Sequence, residues 1–113
     1  MASAKISPQQ ENLVDYLVEN GLCKVPRVIQ ALRETDRGYY TDGMPHPYAD
    51  HPLGIGLDQT ISAPHMHAMC MEVLEPALPA GRPGLHVLDI GCGRYFKFES
   101  HLHFFHFIED VMF

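Results

Sequence analysis

A short apolar run that ends in two closely spaced glycines constrains the fold of this chain more than any other feature. Residues 86–90, HVLDI, lead directly into Gly91-Cys92-Gly93. A buried strand followed at once by a glycine turn is typical of doubly wound α/β proteins, where the turn exposes amides to a ligand. A third glycine normally completes this fingerprint, and Tyr95 stands there instead. The pattern predicts the first strand of a parallel sheet, and it leaves open a plain glycine turn without a ligand.

The first predicted helix has signals at both ends. Ser7 can serve as N-cap, Pro8 fits the first helical position, where its missing N–H costs nothing, and Gln10 can complete a capping box. Asn20-Gly21 predicts the end, because Gly21 can adopt the left-handed conformation that closes many helices. Between these signals the apolar residues at helical spacing are Leu13, Val14, Leu17 and Val18.

Two further helices are predicted. One begins near Pro26, and its apolar face consists of Val28, Ile29 and Leu32. The other follows residues 60–64, TISAP, where the hydroxyl of Thr60 or Ser62 can cap the helix and Pro64 fits its first turn. The apolar residues that predict a buried helix here are Met66, Ala68, Met69, Cys70, Met71, Val73 and Leu74.

Between the second and third helices, residues 35–61 show no periodicity. Glycine or proline recurs too often for a helix longer than one turn, at Gly38, Gly43, Pro45, Pro47, Pro52, Gly54 and Gly56. A loop of this length in a compact domain is usually either functional or disordered. The interleaved apolar residues predict that this loop packs against the rest of the chain: Tyr39, Tyr40, Tyr48, Leu53, Ile55 and Leu57.

Composition and charge exclude several classes of function. The 113 residues are 46% apolar and 19% charged, which is ordinary for one globular domain. The net charge of -6 arises from 14 acidic against 8 basic residues, and the basic ones are too scattered to form a surface for nucleic acid. The sequence also lacks an apolar leader and a membrane-spanning run. We therefore expect a soluble cytoplasmic protein that binds neither nucleic acid nor membrane.

Two groups of residues could carry other chemistry. The cysteines, Cys23, Cys70 and Cys92, are widely separated and form no CxxC pair. Reduced thiols are the simpler account, and a nucleophilic Cys92 beside a helix N-terminus is the alternative. The histidines at positions 101, 103 and 106 have HxHxxH spacing, but no carboxylate or cysteine joins them at a recurring zinc spacing. We predict no metal.

The segment from Asp50 to Ala68, DHPLGIGLDQTISAPHMHA, carries the most specific pattern of the chain. It closely resembles the signature of the protein-L-isoaspartate O-methyltransferase family. The resemblance is extended upstream by Thr35-Asp36-Arg37 with Tyr40, and downstream by LDIGCG at residues 88–93. It covers the chain from about residue 10 to Gly93.

The resemblance implies an α/β fold, an incomplete class I, Rossmann-like S-adenosylmethionine-dependent methyltransferase fold with an added N-terminal helical segment. It implies transfer of a methyl group from S-adenosyl-L-methionine to the carboxylate of L-isoaspartyl residues in damaged proteins. Succinimide formation then lets the backbone revert, which amounts to protein repair. The implied partners are isoaspartyl-containing proteins and peptides, and the intact family is expected to be monomeric.

The resemblance also implies the site residues. Ser62 stands at the position of the family's catalytic hydroxyl. The positions that match the cofactor and substrate site are Gln59, Thr60, Ile61 and His67, with Asp89, Gly91 and Gly93 at the methionine portion of the cofactor. A carboxylate that attacks a sulfonium methyl is already ionised near neutral pH, so it needs orientation more than acid or base. A hydroxyl and the N–H groups of a helix N-terminus can supply that orientation, and Ser62 as a simple N-cap is the alternative.

The sequence departs from the family pattern after Gly93. All six phenylalanines lie between Arg94 and Phe113, and that segment contains no Gly, Ala or Pro. We predict that residues 1–93 are the N-terminal part of the methyltransferase domain and that residues 94–113 are a divergent Phe/His-rich tail, not native to the fold. Two parts of the cofactor site are absent: the acidic residue that would bind the ribose, and the adenine pocket. We therefore expect an inactive chain. There are two alternatives. The chain could be a non-catalytic fragment that associates with other chains, or it could belong to another methyltransferase that acts on a small substrate.

Overall fold

The computed structural model of the protein describes residues 5–78. Within this range lie helices α1 (Pro8–Glu19), α2 (Pro26–Arg33) and α3 (Pro64–Leu74), and a small antiparallel pair of strands, β1 (Leu53–Gly54) and β2 (Thr60–Ile61). Two single 3-10 turns, Arg37–Tyr40 and Glu75–Ala77, follow α2 and α3. The described helices have 12, 8 and 11 residues, and none is long and apolar enough to cross a bilayer. The predicted parallel strand at residues 86–90 and its glycine turn lie outside the described residues.

Helix α1 begins as predicted, but Gln10 has a different role. The Ser7 hydroxyl accepts a hydrogen bond from the Gln10 N–H at 3.2 Å, and a proline fills the first turn. The predicted capping box is wrong, because the Gln10 amide donates to the Leu32 carbonyl at 2.8 Å and accepts from the Arg37 N–H at 3.0 Å. The Ser7 N–H, which the box would have satisfied, donates to the Asp36 carboxylate at 2.7 Å. Gln10 therefore ties α1 to the end of α2 and to the turn that follows.

The end of α1 also agrees with the sequence. Gly21 has a φ of 68°, the left-handed conformation that glycine adopts without steric cost. The Gly21 N–H donates to the Val18 carbonyl at 3.0 Å and the Leu22 N–H to the Leu17 carbonyl at 2.8 Å, which are the two hydrogen bonds of a Schellman motif. This tight turn lets α2 begin a few residues later and pack against α1.

The apolar faces of the helices meet in one core. Its buried members are Leu13, Val14, Leu17, Cys23, Val28, Leu32 and Ala68. Val14 and Val28 are fully buried, and each such side chain contributes about 1.5–3 kcal/mol when it leaves water. The helical spacing in the sequence therefore identified the core-facing residues of α1 and α2, except that Val18 is 37% exposed.

Helix α3 contradicts the prediction of a wholly buried helix. Its only fully buried residues are Pro64 and Ala68. The side chains that the apolar pattern placed inside, and that the structure exposes, are Met66, Met69, Cys70, Val73 and Leu74. The physical reason is that α3 packs on α2 and on the 3-10 turn Glu75–Ala77. Within residues 5–78, only one stripe of α3 is therefore covered.

A carboxylate on α3 secures the beginning of α2. The N–H groups of Lys24 and Val25 donate to Glu72, the second at 2.9 Å, while the N-cap residue Val25 has no side chain that could cap the helix. These hydrogen bonds lower the pKa of Glu72. Burial, with Glu72 close by, raises the pKa of the Cys23 thiol to about 11, so this thiol stays protonated and unreactive near neutral pH.

The long loop packs down only in part. Ile55 is buried and Tyr48 packs against the helical core, as the interleaved apolar residues predicted. Tyr39 and Leu57 are 63% and 81% exposed, so the prediction is wrong for these two. Tyr39 lies at the surface because its hydroxyl donates to the Lys5 carbonyl at 3.0 Å, and Leu57 lies at the tip of the β1–β2 hairpin.

Candidate active site at the start of helix α3

The hydroxyl that the sequence singles out lies one residue before the cap of α3. The N-cap is Ala63, which makes no side-chain hydrogen bond to the helix, so the alternative that Ser62 is a simple N-cap is wrong. The Ser62 carbonyl accepts a hydrogen bond from Arg37 Nη1 at 2.8 Å. The Ser62 side chain is partly buried, and no residue in the described range hydrogen-bonds its hydroxyl.

Asp50 caps α3 in place of Ser62. Its Oδ1 accepts a hydrogen bond from the His65 N–H at 2.9 Å and lies 2.8 Å from His65 Nδ1. The Asp50 side chain is only 13% exposed, which fits a charge held by specific partners. Because Asp50 already takes the His65 N–H, a substrate carboxylate cannot use that donor. The expectation that the helix N-terminus itself holds the substrate's charge is corrected in this respect.

Arg37 is the buried centre of the loop. It is 2% exposed, and its guanidinium donates to three backbone carbonyls, those of Pro47 at 2.7 Å, Ser62 at 2.8 Å and His51 at 3.3 Å. Burial lowers the pKa of Arg37 to about 10, and the nearby Asp50 carboxylate opposes that change. Arg37 is therefore a cation at neutral pH that fixes the backbone on which Ser62 lies.

Asp36 binds the same turn to the start of α1. Its carboxylate accepts hydrogen bonds from the Ser7 N–H at 2.7 Å, the Tyr48 hydroxyl at 2.7 Å and the Gly38 N–H at 2.9 Å. Burial alone would raise the pKa of Asp36, but these hydrogen bonds outweigh it and lower the pKa below its ordinary value. Glycine is required at position 38, because a Cβ there would collide with the Tyr48 hydroxyl.

The residues before Ser62 form a strained hairpin. Leu57 and Asp58 have φ values of 52° and 55°, and the Gln59 N–H donates to the Gly56 carbonyl at 2.9 Å, so the tip is a type I′ turn. Glycine, asparagine or aspartate usually occupies such positions, because a left-handed conformation costs a residue such as Leu57 about 1–2 kcal/mol. Strain of this kind is often concentrated at functional sites.

Gln59 and the β2 residues Thr60 and Ile61 differ in burial, and therefore in whether their side chains can contact a ligand. Gln59 and Thr60 are exposed, whereas Ile61 is 5% exposed and points into the interior. Alternation along an extended backbone puts Thr60 and Ser62 on one side and Ile61 on the other. The Thr60 side chain and the Ser62 hydroxyl can therefore face a ligand together, whereas this alternation puts the exposed Gln59 on the side of Ile61, and the buried Ile61 can contribute only its backbone.

Of the remaining predicted site residues, His67 alone lies within the described residues. His67 is partly buried in the first turns of α3, with its N–H donating to the Ala63 carbonyl at 3.2 Å. Asp89, Gly91 and Gly93 lie outside residues 5–78, as do Cys92 and the histidines of the HxHxxH spacing. Within residues 5–78, no three His, Cys, Asp or Glu side chains come close enough to hold a metal ion.

Sequence reasoning missed the residues that organise the site. The family pattern includes Asp36, Arg37 and Asp50, but the sequence predicted no role for them. One signal could have pointed to them, since they are three of five charged residues in a loop whose apolar residues predict burial, and buried charges need partners. Which carbonyls and N–H groups they bind could not be read from spacing, because those partners are far apart along the chain.

Comparison with known proteins identifies the chain's relatives. The family model described as protein-L-isoaspartate(D-aspartate) O-methyltransferase matches residues 8–98. A protein-L-isoaspartate O-methyltransferase from Triticum aestivum is 42% identical over 81 residues, which cover 72% of this chain and 34% of the relative. One from Pyrobaculum arsenaticum is 41% identical over 87 residues, covering 74% and 39%. The chain spans about a third of the length of the first curated relatives that it matches.

A solved structure gives the same result at the level of the fold. A crystal structure described as a protein-L-isoaspartate O-methyltransferase from Plasmodium falciparum, in complex with S-adenosyl-L-homocysteine, matches with a TM-score of 0.75 and 28% identity. The match covers 93% of this chain and 44% of that one. The predicted fold class, part of a class I methyltransferase fold with an N-terminal helical segment, is confirmed.

Proposed function

The chain belongs to the protein-L-isoaspartate(D-aspartate) O-methyltransferase family, and on that premise we propose that it takes part in methyl transfer from S-adenosyl-L-methionine to L-isoaspartyl carboxylates of damaged proteins. One observation supports this most. The Ser62 hydroxyl lies directly before α3, with its carbonyl fixed by Arg37 and with Asp50 capping the helix in its place. The names of the relatives, and the S-adenosyl-L-homocysteine held by the Plasmodium falciparum protein, support the same reaction.

The proposed reaction depends on orientation. When bound, S-adenosyl-L-methionine supplies a methyl group activated by the positive sulfonium. A carboxylate, with an ordinary pKa of about 4, is already ionised near neutral pH and needs no general base. In our proposal the Ser62 hydroxyl donates to one carboxylate oxygen and leaves the other oxygen free to attack. The new O–CH3 bond forms as the S–CH3 bond breaks, and the electron pair of that bond stays on sulfur. The products are a methyl ester and S-adenosyl-L-homocysteine.

We assign the cofactor contacts to the residues beside Ser62. Gln59 and Thr60 are exposed and offer both hydrogen-bond donors and acceptors, which suits the zwitterionic methionine end of the cofactor. The Ile61 backbone and His67 complete this group in our proposal. Asp89, Gly91 and Gly93 would border the methionine portion, by the position of the glycine turn after a strand.

The proposal extends to partners and location. We propose that the partners are isoaspartyl-containing proteins and peptides, and that the protein is a cytoplasmic monomer that binds neither nucleic acid nor membrane. The net charge of -6 supports the exclusion of nucleic acid, because like charges repel. The boundary between residues 1–93 and the tail 94–113 stays a prediction.

A methylation assay tests the proposal. The purified chain is mixed with methyl-labelled S-adenosyl-L-methionine and either an isoaspartyl peptide or the same peptide with ordinary aspartate. Label in the isoaspartyl peptide alone would overturn the expectation that this chain is inactive, and Ser62→Ala should then lower the label about 100-fold, because one misplaced reactant can cost that much. Ser100→Ala, in the segment that departs from the family pattern, is the matched control and should keep full activity. Equal turnover by Ser62→Ala and wild type would remove Ser62 from the site.

The alternative of a non-catalytic chain predicts the opposite in the same assay. It rests on the exposed apolar face of α3, formed in the described part by Met66, Met69, Val73 and Leu74. Exposed apolar patches often mark association with other chains. No ester above the enzyme-free control, together with a mass that rises with concentration in analytical ultracentrifugation, would favour this alternative and the expected inactivity.

A further inference from the structure

Three consecutive residues, Thr35-Asp36-Arg37, connect the end of α2 to three other parts of the molecule. The Thr35 hydroxyl donates to the Ala31 carbonyl at 2.9 Å and so closes the last turn of α2. Asp36 holds the Ser7 N–H at the start of α1, as described above. Arg37 reaches the loop and the residue before α3. Of these contacts the proposed function uses only the hydrogen bond from Arg37 to the Ser62 carbonyl, although all three residues are buried.

The shape of the Arg37 guanidinium explains why arginine stands at this position. Its Nε, Nη1 and Nη2 each donate to a different carbonyl, those of Pro47, Ser62 and His51, so the guanidinium joins the middle of the loop to the residue before the cap of α3. A guanidinium holds five N–H donors in one rigid plane, whereas a lysine ammonium presents its three donors from a single point. Lysine could keep the positive charge here but could not satisfy all three carbonyls in their present positions.

The backbone from which the Arg37 side chain projects is itself held in place by hydrogen bonds. The Arg37 N–H donates to the Gln10 side chain at 3.0 Å, and Gln10 is anchored in turn to the Leu32 carbonyl at 2.8 Å. The guanidinium therefore projects from a point held by both α1 and α2. A rigid base of this kind transmits the geometry of the helical core to the Ser62 carbonyl.

Fixing the Ser62 carbonyl restricts its hydroxyl. The carbonyl belongs to a planar peptide, so a hydrogen bond that holds it also limits rotation about the bond between Cα and the carbonyl carbon of Ser62. The next residue, Ala63, is the N-cap of α3, and Asp50 holds the first turn of that helix through the His65 N–H. With its carbonyl and the following helix fixed, the Cα–Cβ bond of Ser62 has one direction, and its hydroxyl is restricted to the staggered positions about that bond.

We propose that Arg37 is the positioning residue of this active site, fixing the Ser62 carbonyl and thereby aiming the Ser62 hydroxyl at the substrate carboxylate. The inference rests on the proposed function, since it assumes that Ser62 orients a carboxylate. Arg37 touches neither substrate nor cofactor in this account. Its effect reaches the reaction only through Ser62.

Arg37→Lys in the full chain tests the positioning role. We expect kcat with the isoaspartyl peptide to fall about 100-fold, because a displacement of about 1 Å can cost that much. The KM for S-adenosyl-L-methionine should stay within about twofold, since uniform binding of the cofactor is not what is lost. Arg33→Lys is the matched control, because Arg33 lies at the surface between Glu11 and Asp15. Its kcat should match wild type.

Nuclear magnetic resonance of the same variants gives a readout that does not need activity. In Arg37→Lys we expect the Ser62 carbonyl carbon and the Ala63 amide to shift, while the amides of α1 keep their positions and protection. If the wild-type chain makes no ester, the proposed function fails, and this spectrum still decides the link between Arg37 and Ser62. Unchanged Ser62 signals, an equal loss of kcat in both lysine variants, or loss of α1 protection in Arg37→Lys would each overturn the positioning role.

Discussion

The pair α1–α2 and the loop at residues 35–63 are held together by different forces. The helices meet through apolar side chains that are almost wholly buried. The loop has few such residues, and its backbone is held by hydrogen bonds from the side chains of Asp36, Arg37 and Asp50. Apolar packing tolerates changes of similar volume, whereas a hydrogen bond to one carbonyl depends on direction and distance. The helices therefore supply stability, and the loop supplies the geometry around Ser62.

The largest effect that we expect is in the helical pair. Leu17 is 1% exposed, so Leu17→Ala should lower the free energy of unfolding by about 3 kcal/mol through lost burial and a residual cavity. Urea denaturation followed by circular dichroism measures this change. Val18→Ala is the control on the same helix, because Val18 is 37% exposed and its truncation should cost less than about 0.5 kcal/mol. Equal losses in the two variants would contradict the assignment of the core to this face.

A smaller loss in the free energy of unfolding is expected for a substitution in the loop. Asp36→Asn keeps the size of the side chain but removes the charge that three donors share, so it should cost about 2 kcal/mol in the same denaturation experiment. Asp15→Asn removes an exposed carboxylate that pairs with Arg33, and it should cost less than about 1 kcal/mol. If the two substitutions cost the same, the hydrogen bonds to Asp36 do not hold the loop.

The same residue predicts how stability depends on pH. The pKa of Asp36 is lowered in the folded chain from its ordinary value of 3.8, so the folded state favours the ionised carboxylate. Its contribution is therefore present above the unfolded pKa and is lost as pH falls through the folded pKa. Asp36→Asn should flatten the decline of stability below about pH 4 relative to wild type. An unchanged slope in Asp36→Asn would contradict the account.

The smallest expected effect is a gain at the hairpin. Asp58 has a φ of 55°, which glycine adopts readily, so Asp58→Gly should raise the free energy of unfolding by about 0.5 kcal/mol. Asp15→Gly, in the interior of α1, should instead lower it by about 1 kcal/mol. If aspartate-to-glycine substitution raises the free energy of unfolding at position 58 and lowers it at position 15, the tip of the hairpin is strained. A loss in Asp58→Gly would place the strain elsewhere.

The two regions also differ in how much the sequence predicted. The spacing of Leu13, Val14 and Leu17, the Ser7 cap and the Gly21 turn were visible because each depends on neighbours within one or two turns. The exposure of Val73 on α3 was not, since periodicity cannot tell which apolar stripe a neighbouring element covers. The family pattern predicted where Ser62 stands in the chain.

What surrounds Ser62 could not be predicted, because it depends on contacts between distant residues. The sequence suggested that a hydroxyl would cap α3, and Asp50 does so from 15 residues upstream of His65. Arg37 lies 25 residues before the Ser62 carbonyl that it binds. Side-chain hydrogen bonds of this range leave no periodic trace, so they become visible only when the fold brings the partners together.

The hydrogen bonds of the Arg37 guanidinium test the central claim most directly. In a chain labelled with nitrogen-15 and carbon-13, couplings across hydrogen bonds report each donor and its carbonyl. We predict couplings from Arg37 Nε to the Pro47 carbonyl and from Nη1 to the Ser62 carbonyl, with protons that exchange far more slowly than those of the surface residue Arg33. Arg37 protons that exchange as fast as those of Arg33, without either coupling, would contradict the claim that a buried arginine fixes Ser62.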